Sequence, residues 1–211
     1  AKSLGASILK PRYSRYVIDL NRPPDDVSLY PGQNSTGLCP LTAFTGEPIY
    51  LDNKQPDQNA IVHRRAQYWQ PYHSALNAEL IRLKQQHGRV LLWEGHSIQP
   101  ELSFLFEGSL PDFNLGTVNG ASFPDEFLEP IEKLLAEQSQ YSWVSNGRFK
   151  GGYITRHYAD REQRIFAFQL ELVQSVYMDD SMTAFDTDKA APVQAVIERM
   201  IGRALEAIDR T

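Results

Sequence analysis

Residues 90–97 read Val-Leu-Leu-Trp-Glu-Gly-His-Ser. An apolar run this short fits a strand buried on both faces. Gly95 then permits a sharp backbone exit, so the pattern predicts a strand over 90–93 that delivers His96 at its C-terminal end. Open α/β sheets place ligands and catalytic groups at that end. His96 is therefore the candidate centre of a site, with a metal as its candidate partner. Glu94 could orient the imidazole, but alternation puts the two side chains on one face only if the strand continues.

Working outward, the stretch before this strand has helical spacing. Trp69, Tyr72, Leu76, Leu80 and Leu83 step by three and four, which gives an amphipathic stripe. Asp57 is a plausible N-cap, and Gly88 ends the helix after Lys84 and His87. Pro71 should kink or locally break it. Further strands are predicted over 6–9, 13–20, 102–106, 113–115, 141–145 and 164–173, with 153–158 pairing after the turn-rich Gly147–Gly152 loop. Helices are predicted over 123–138 and 187–208. Alternating strands and helices argue for an α/β sandwich with a mixed sheet. The Pro- and Gly-rich stretch 21–56, which includes Tyr30-Pro31-Gly32, reads as a long loop, and such loops are usually functional or mobile.

Composition narrows the function classes. With 211 residues the chain can bury one sizeable core, and no repeat or linker suggests a second domain. A net charge of −5 gives no reason to expect nucleic acid. No apolar run approaches the roughly 20 residues that span a bilayer, and no stretch reads as a signal peptide. The lone Cys39 cannot form an internal disulfide, which fits a reducing, cytoplasmic compartment. Without an adjacent histidine it reads as a small apolar loop residue, not a nucleophile. Ala1-Lys2-Ser3-Leu4-Gly5 reads as a helix's last turn with its terminal glycine, so residues upstream of Ala1 are expected.

The chemistry-bearing residues form three groups. Among the histidines, His63, His73 and His87 lie in the long helix. His63 and His73 are separated by roughly 15 Å of helix axis and cannot share a metal. Surface or core-edge roles are expected for all three, and there is no HExxH or CxxC. Glu171 is an acid inside the apolar run Phe166–Val173, costly to bury unless paired or protonated. It is either a general base of raised pKa or the partner of an arginine. Finally, Arg12, Arg15 and Arg22 flank 13–20, and Arg148, Lys150 and Arg156 flank the Gly147–Gly152 loop. Two such clusters in an acidic chain suggest an anionic substrate, since arginine grips carboxylates through paired hydrogen bonds and phosphate is the other possibility. Gly147–Gly152 lacks the spacing of a phosphate-binding loop.

Six segments together resemble the N-formylglutamate amidohydrolases: SRYVIDLNRPPDD (14–26), YPGQNSTGLCP (30–40), LWEGHS (92–97), LPDFNLGT (110–117), NGRFKGGYITRHY (146–158) and LELVQSVYMDD (170–180). The resemblance covers nearly the whole chain. It implies a three-layer α/β/α sandwich around a mixed, mostly parallel sheet, similar to zinc exopeptidases such as carboxypeptidase A and aspartoacylase. It also implies hydrolysis of N-formyl-L-glutamate to formate and L-glutamate, a step of histidine degradation. Glu94-Gly95-His96-Ser97 is similar to the family's acid-x-His-Ser signature, with Gly95 where alanine is expected, and this makes His96 a zinc ligand. Arg15, Asn21 and Arg22 look like the substrate-holding set of aspartoacylase-like enzymes. Glu171 looks like the glutamate that activates water. Arg148 and Arg156 are both candidates for a substrate carboxylate. The family's Pro-His-x-Gly and Asp-rich motifs are not in this chain, so one zinc ion is expected with its remaining ligands upstream of Ala1. Two alternatives stand beside this reading: a related N-acyl amino acid deacylase or carboxypeptidase, and a metal-free dicarboxylate-binding module.

Overall fold

The computed structural model describes residues 1–29, 31–32 and 34–210. Tyr30 and Gln33, within the predicted long loop, lie outside the described residues. One mixed sheet carries the fold. Strand β1 is Val90–Ile98, β2 Phe113–Gly116, β3 Trp143–Ser145 and β4 Ile165–Val173. Their order across the sheet is β1-β4-β2-β3. β1 and β4 are parallel, as are β2 and β3, whereas β4 and β2 are antiparallel. The helices are α1 (Gln58–Arg64), α2 (Gln70–His87), α3 (Asp125–Ala136), α4 (Tyr153–Tyr158) and α5 (Thr187–Asp209).

Alternation along the strands separates two faces. On one face Phe166, Phe168, Leu170 and Leu172 of β4 join Phe113 and Leu115 of β2. They pack against Ile131 and Leu135 of α3 and Val196 and Met200 of α5. On the other face Val90 packs with Leu76 and Leu80 of α2 and Ile154 of α4, and Leu92 and Ile165 lie against the same cluster. That second face is apolar over the first half of β1 and β4 and again at their last pair, Ile98 and Val173. Between these, the positions that alternation assigns to the same face are Glu94, His96, Gln169 and Glu171, a polar row set into an otherwise apolar face.

Several local expectations hold. Asp57 caps α1, accepting from the Ala60 amide at 2.8 Å, and Gly88 ends α2 at φ 75°. Gly5, at φ 63°, closes a 3-10 turn over Lys2–Leu4. Pro71 acts one turn early: Arg65–Trp69 is a π-helical turn in which the Gln70 amide reaches back to the Arg65 carbonyl. Proline has no amide to donate to the carbonyl four residues back and crowds it; a wider turn relieves both problems.

Others are corrected. The strand predicted to end at Trp93 runs on to Ile98, through Gly95, because β4 offers it an equally long partner. Residues 6–9 and 102–106 form no strand; Ile8 is 67% exposed and 102–106 is a turn, with the Leu105 amide bonded to the Leu102 carbonyl. Tyr153–Tyr158 is a helix, not a strand. Its aromatic and β-branched content suggested extended chain, but Tyr153 stacks on His157 at 4.8 Å, a contact four residues apart that a helix provides. Residues 13–20 are turns as well. Their backbone groups are taken by other partners: the Asp19 amide by the Leu38 carbonyl at 2.7 Å, and the Val17 and Leu20 carbonyls by Arg64 and His73.

His73 lies deeper than the surface or core edge expected of it. It is 4% exposed, stacked against Trp69 at 3.8 Å and parallel to Tyr158, with Tyr72 and Tyr153 edge-on. Burial pushes its pKa down to about 4; the hydrogen bond to Leu20 opposes this and His157 adds to it. In the unfolded chain an ordinary histidine protonates near pH 6.5. Between these values the unfolded state binds the proton and the folded state does not. Stability contributed by neutral His73 is therefore complete above about pH 6.5 and lost as pH falls toward about 4. The expected loss is about 3 kcal/mol across that window. Urea unfolding at pH 7 and pH 4.5 checks it, and a His73→Gln variant should show a visibly flatter pH dependence.

Candidate functional site

The register across the sheet builds the site. His96 of β1 stands opposite Glu171 of β4, and Glu171 opposite Asn114 of β2. One step back, Glu94, Gln169 and Gly116 form the next row. Because β1 continues past Gly95, Glu94 shares the face of His96, and the His96 Nε2 to Glu94 Oε1 distance is 2.6 Å. Gly116 leaves room for the loop that follows Arg148: a Cβ there would lie 2.8 Å from the Gly151 nitrogen. The loop so seated presents the Gly152 amide, which donates to Gln169 Oε1 at 2.7 Å.

Asn21 ties this loop to the sheet. Its Oδ1 accepts from the Ile154 amide at 2.8 Å, which fixes the orientation of the amide group. Its Nδ2 then faces His96 Nε2 at 3.0 Å. The backbone amide of Asn21 donates to Asp19 Oδ1 at 3.0 Å. Asp19, 3% exposed, also binds Arg15 through Oδ2 and lies 3.8 Å from Arg22 Nε. Two guanidinium groups around one carboxylate leave that cluster with one positive charge. Arg15 further covers the ring of Phe44 at 4.6 Å.

Electrostatics set the two sheet groups apart. Burial works against a charged His96, but the hydrogen bond and charge of Glu94, with the charge of Glu171, outweigh it and raise the ring's pKa. Burial is also the main influence on Glu171, 8% exposed, and pushes its carboxyl up; His96 and Arg15 oppose this, while Glu94 and Asp19 add to it. Among the described residues no hydrogen bond is made to the Glu171 carboxylate. It is a buried acid facing a cleft with its proton affinity increased, which suits a proton-transfer role.

One cleft gathers most of the residues singled out from sequence: Arg15, Asn21, Arg22, His96, Arg148 and Glu171 all line it. Arg148 is held there by its own partners, donating to the carbonyls of Asn34 at 3.1 Å and Leu105 at 3.3 Å. Arg156 does not line the cleft; its Nε donates to the Gly151 carbonyl at 2.8 Å. Sequence reasoning passed over Asp19 as the organiser of the arginines, although an acid between Ile18 and Leu20 was a visible signal. It did not single out Gln169, Asn114 or Gly152.

His96 and Glu94 are the donors a metal could use here. Among the described residues there is no group of three or more histidine, cysteine or acidic side chains arranged to hold an ion. Two donors fall short of the three protein ligands a catalytic zinc takes, so these residues do not complete a zinc site by themselves.

An α/β domain that sets a histidine and a buried carboxylate at the ends of paired parallel strands, before an arginine-lined cleft, has the layout of an enzyme acting on a small anionic molecule. The comparisons with known proteins specify it further. The chain belongs to the N-formylglutamate amidohydrolase family, whose model matches residues 1–178. It is 48% identical over 202 residues to an N-formylglutamate deformylase of Pseudomonas putida, covering 95% of this chain and 75% of that protein. A second N-formylglutamate deformylase, from Pseudomonas aeruginosa, is 47% identical over 202 residues, with 95% and 76% covered. Among solved structures, the N-formylglutamate amidohydrolase of Ralstonia eutropha JMP134 superposes with a TM-score of 0.71 at 23% identity, covering 92% of this chain and 72% of that one. A gene product of Agrobacterium tumefaciens superposes with a TM-score of 0.67 at 18% identity, covering 94% and 70%. These two similarities concern the fold. No helix among the described residues is long and apolar enough to cross a membrane.

Proposed function

We propose that this chain hydrolyses N-formyl-L-glutamate to formate and L-glutamate, as a zinc-dependent cytoplasmic enzyme of histidine degradation, on a three-layer α/β/α fold of the zinc-exopeptidase kind. The observation that carries the reading is the charge layout of one cleft. The Arg15–Asp19–Arg22 cluster holds one positive charge, and Arg148, outside that cluster, lines the same cleft and brings another. Two separated cations suit a substrate with two carboxylates. Asn21 assists on the His96 side. The placement of Arg148 in the cleft favours it over Arg156 for the second carboxylate.

His96 would be one ligand of the zinc. Zinc, when bound, supplies polarisation of the formyl carbonyl and lowers the pKa of water. Glu171 does the proton work. Its carboxylate accepts a proton from the attacking water, whose oxygen bonds to the formyl carbon. The carbon–nitrogen bond then breaks, and the Glu171 carboxyl returns the proton to the departing amine of glutamate.

The test is formate release from N-formyl-L-glutamate with added zinc and with a chelator, beside a panel of N-acyl glutamates and aspartates. Zinc-dependent release restricted to the formyl glutamate is expected. An Arg148→Ala variant should raise KM by about 10- to 100-fold, with Arg156→Ala changing it far less. Preference for a longer acyl group would instead favour a related deacylase or a carboxypeptidase. The count of two metal donors favours a second reading, a metal-free dicarboxylate-binding module. Binding of L-glutamate by calorimetry without any formate release, with or without zinc, would select it.

A further inference from the structure

The cleft's Arg15–Arg22 side is a turn-rich stretch with no place in the sheet, yet its side chains must be held to fractions of an ångström to be useful. Four carbonyls along it are each held by a side-chain donor. Arg64 Nη1 donates to Val17 at 3.0 Å, His73 Nε2 to Leu20 at 2.9 Å, Trp69 Nε1 to Arg22 at 3.0 Å and Arg65 Nη1 to Pro24 at 3.0 Å. All four donors come from one helical run, α1 to α2. Arg65, Trp69 and His73 are spaced by four, which lines them along one side of it. The π-helical turn ahead of Pro71 lies between the first and last of them.

His73 does more than the other three. Its Nε2 hydrogen is committed to the Leu20 carbonyl, so its Nδ1 accepts from the Tyr158 hydroxyl at 2.8 Å, a hydroxyl shared with the His73 backbone carbonyl at 3.2 Å. Tyr158 belongs to α4, the helix whose Ile154 amide fixes Asn21 Oδ1. One imidazole therefore spans both elements that grip Asn21: the stretch that carries it and the helix that orients it. The ring also stacks on Trp69 and on Tyr158.

We propose that His73, with Trp69 beside it, is a positioning residue for the substrate-binding arm. It sets Asn21 against His96 and holds Arg15 and Arg22 toward the cleft, without touching substrate. The proposal rests on the dicarboxylate reading of that cleft. An arm that binds the substrate's remote carboxylates acts on ground state and transition state alike, so loosening it raises KM more than it lowers kcat.

The experiment compares His73→Phe, which keeps the stacking but loses both hydrogen bonds, with His73→Gln, whose side-chain amide can again donate to Leu20. Kinetics with N-formyl-L-glutamate, calorimetry with L-glutamate and amide hydrogen exchange over 17–24 are measured on each, with Tm. His73→Phe is expected to raise KM at least about tenfold with a smaller fall in kcat, to weaken L-glutamate binding in step, and to speed exchange across 17–24. His73→Gln is expected to recover most of each change. Unchanged KM and unchanged exchange in His73→Phe would overturn the proposal. So would losses in both variants that follow only the fraction unfolded. Should His73→Phe not fold, Trp69→Phe, which loses the single bond to Arg22, carries the same expectation for KM and exchange. If the unaltered protein releases no formate, the substrate reading fails, while exchange over 17–24 still decides whether His73 holds the arm.

Discussion

Glu171→Gln is expected to lower kcat by about 10³-fold, in line with the loss of a general base, while leaving the fold and any metal binding intact. Gln keeps the size and shape of the side chain and cannot accept a proton. The stability consequence runs the other way from most core substitutions. Burial raises the Glu171 pKa, so the folded state disfavours the charged carboxylate relative to the unfolded chain. Above its folded pKa the group therefore subtracts stability, and the loss eases as pH falls through that value. Replacing it with a neutral amide should leave Tm unchanged or raised at pH 7 and above. Single-turnover formate release, metal content and thermal melts together check this. A near-normal kcat in a folded, metal-replete variant would remove Glu171 from the mechanism.

Gly152→Ala should cost about 100-fold in kcat/KM, although Gly152 touches no substrate in the proposed reaction. Its φ of −82° is open to any residue, so the cost is not backbone strain. It is steric: an added Cβ would lie 2.6 Å from both Cγ and Oδ1 of Asn21. Asn21 has little freedom to withdraw. Its Oδ1 is held by the Ile154 amide, its Nδ2 faces His96, and its backbone amide is bound to Asp19. Relief therefore displaces Asn21 from His96, or shifts the Gly152 amide away from Gln169. Overpacking of this kind carries a stability cost of about 1–3 kcal/mol. Kinetics alongside urea unfolding separate the two effects. Wild-type kcat/KM in Gly152→Ala would show that the Asn21–His96 contact is dispensable.

Some of this site was legible before any coordinates. An acid in the run Phe166–Val173 is conspicuous because a two-sided buried strand has no other reason to hold one, and β4 is such a strand. A histidine after a short apolar run was conspicuous for the same reason. The arginines were legible only as clusters. Nothing in their spacing separates Arg148, which lines the cleft, from Arg156, which turns back to the Gly151 carbonyl. Asp19 reads locally as one acid in an apolar stretch; its role depends on two arginines folding around it.

Wherever the energetics are local, the amino-acid sequence alone determined the outcome. Asp57 and Gly88 mark helix ends, the spacing from Trp69 to Leu83 makes an amphipathic helix, and the apolar density of β4 makes a central strand. Residues 13–20 and 153–158 were decided by tertiary structure. The first is rich in strand-forming side chains but finds its backbone partners in Leu38, Arg64 and His73 instead of a neighbouring strand. The second coils because its aromatic rings stack across one helical turn and onto His73. Strand propensity describes a side chain's fit to a pleated surface, and where the fold provides no such surface the available hydrogen-bond donors choose the conformation. Register is tertiary for the same reason. His96, Glu171 and Asn114 are distant in sequence and lie in one row only because β1, β4 and β2 pair as they do.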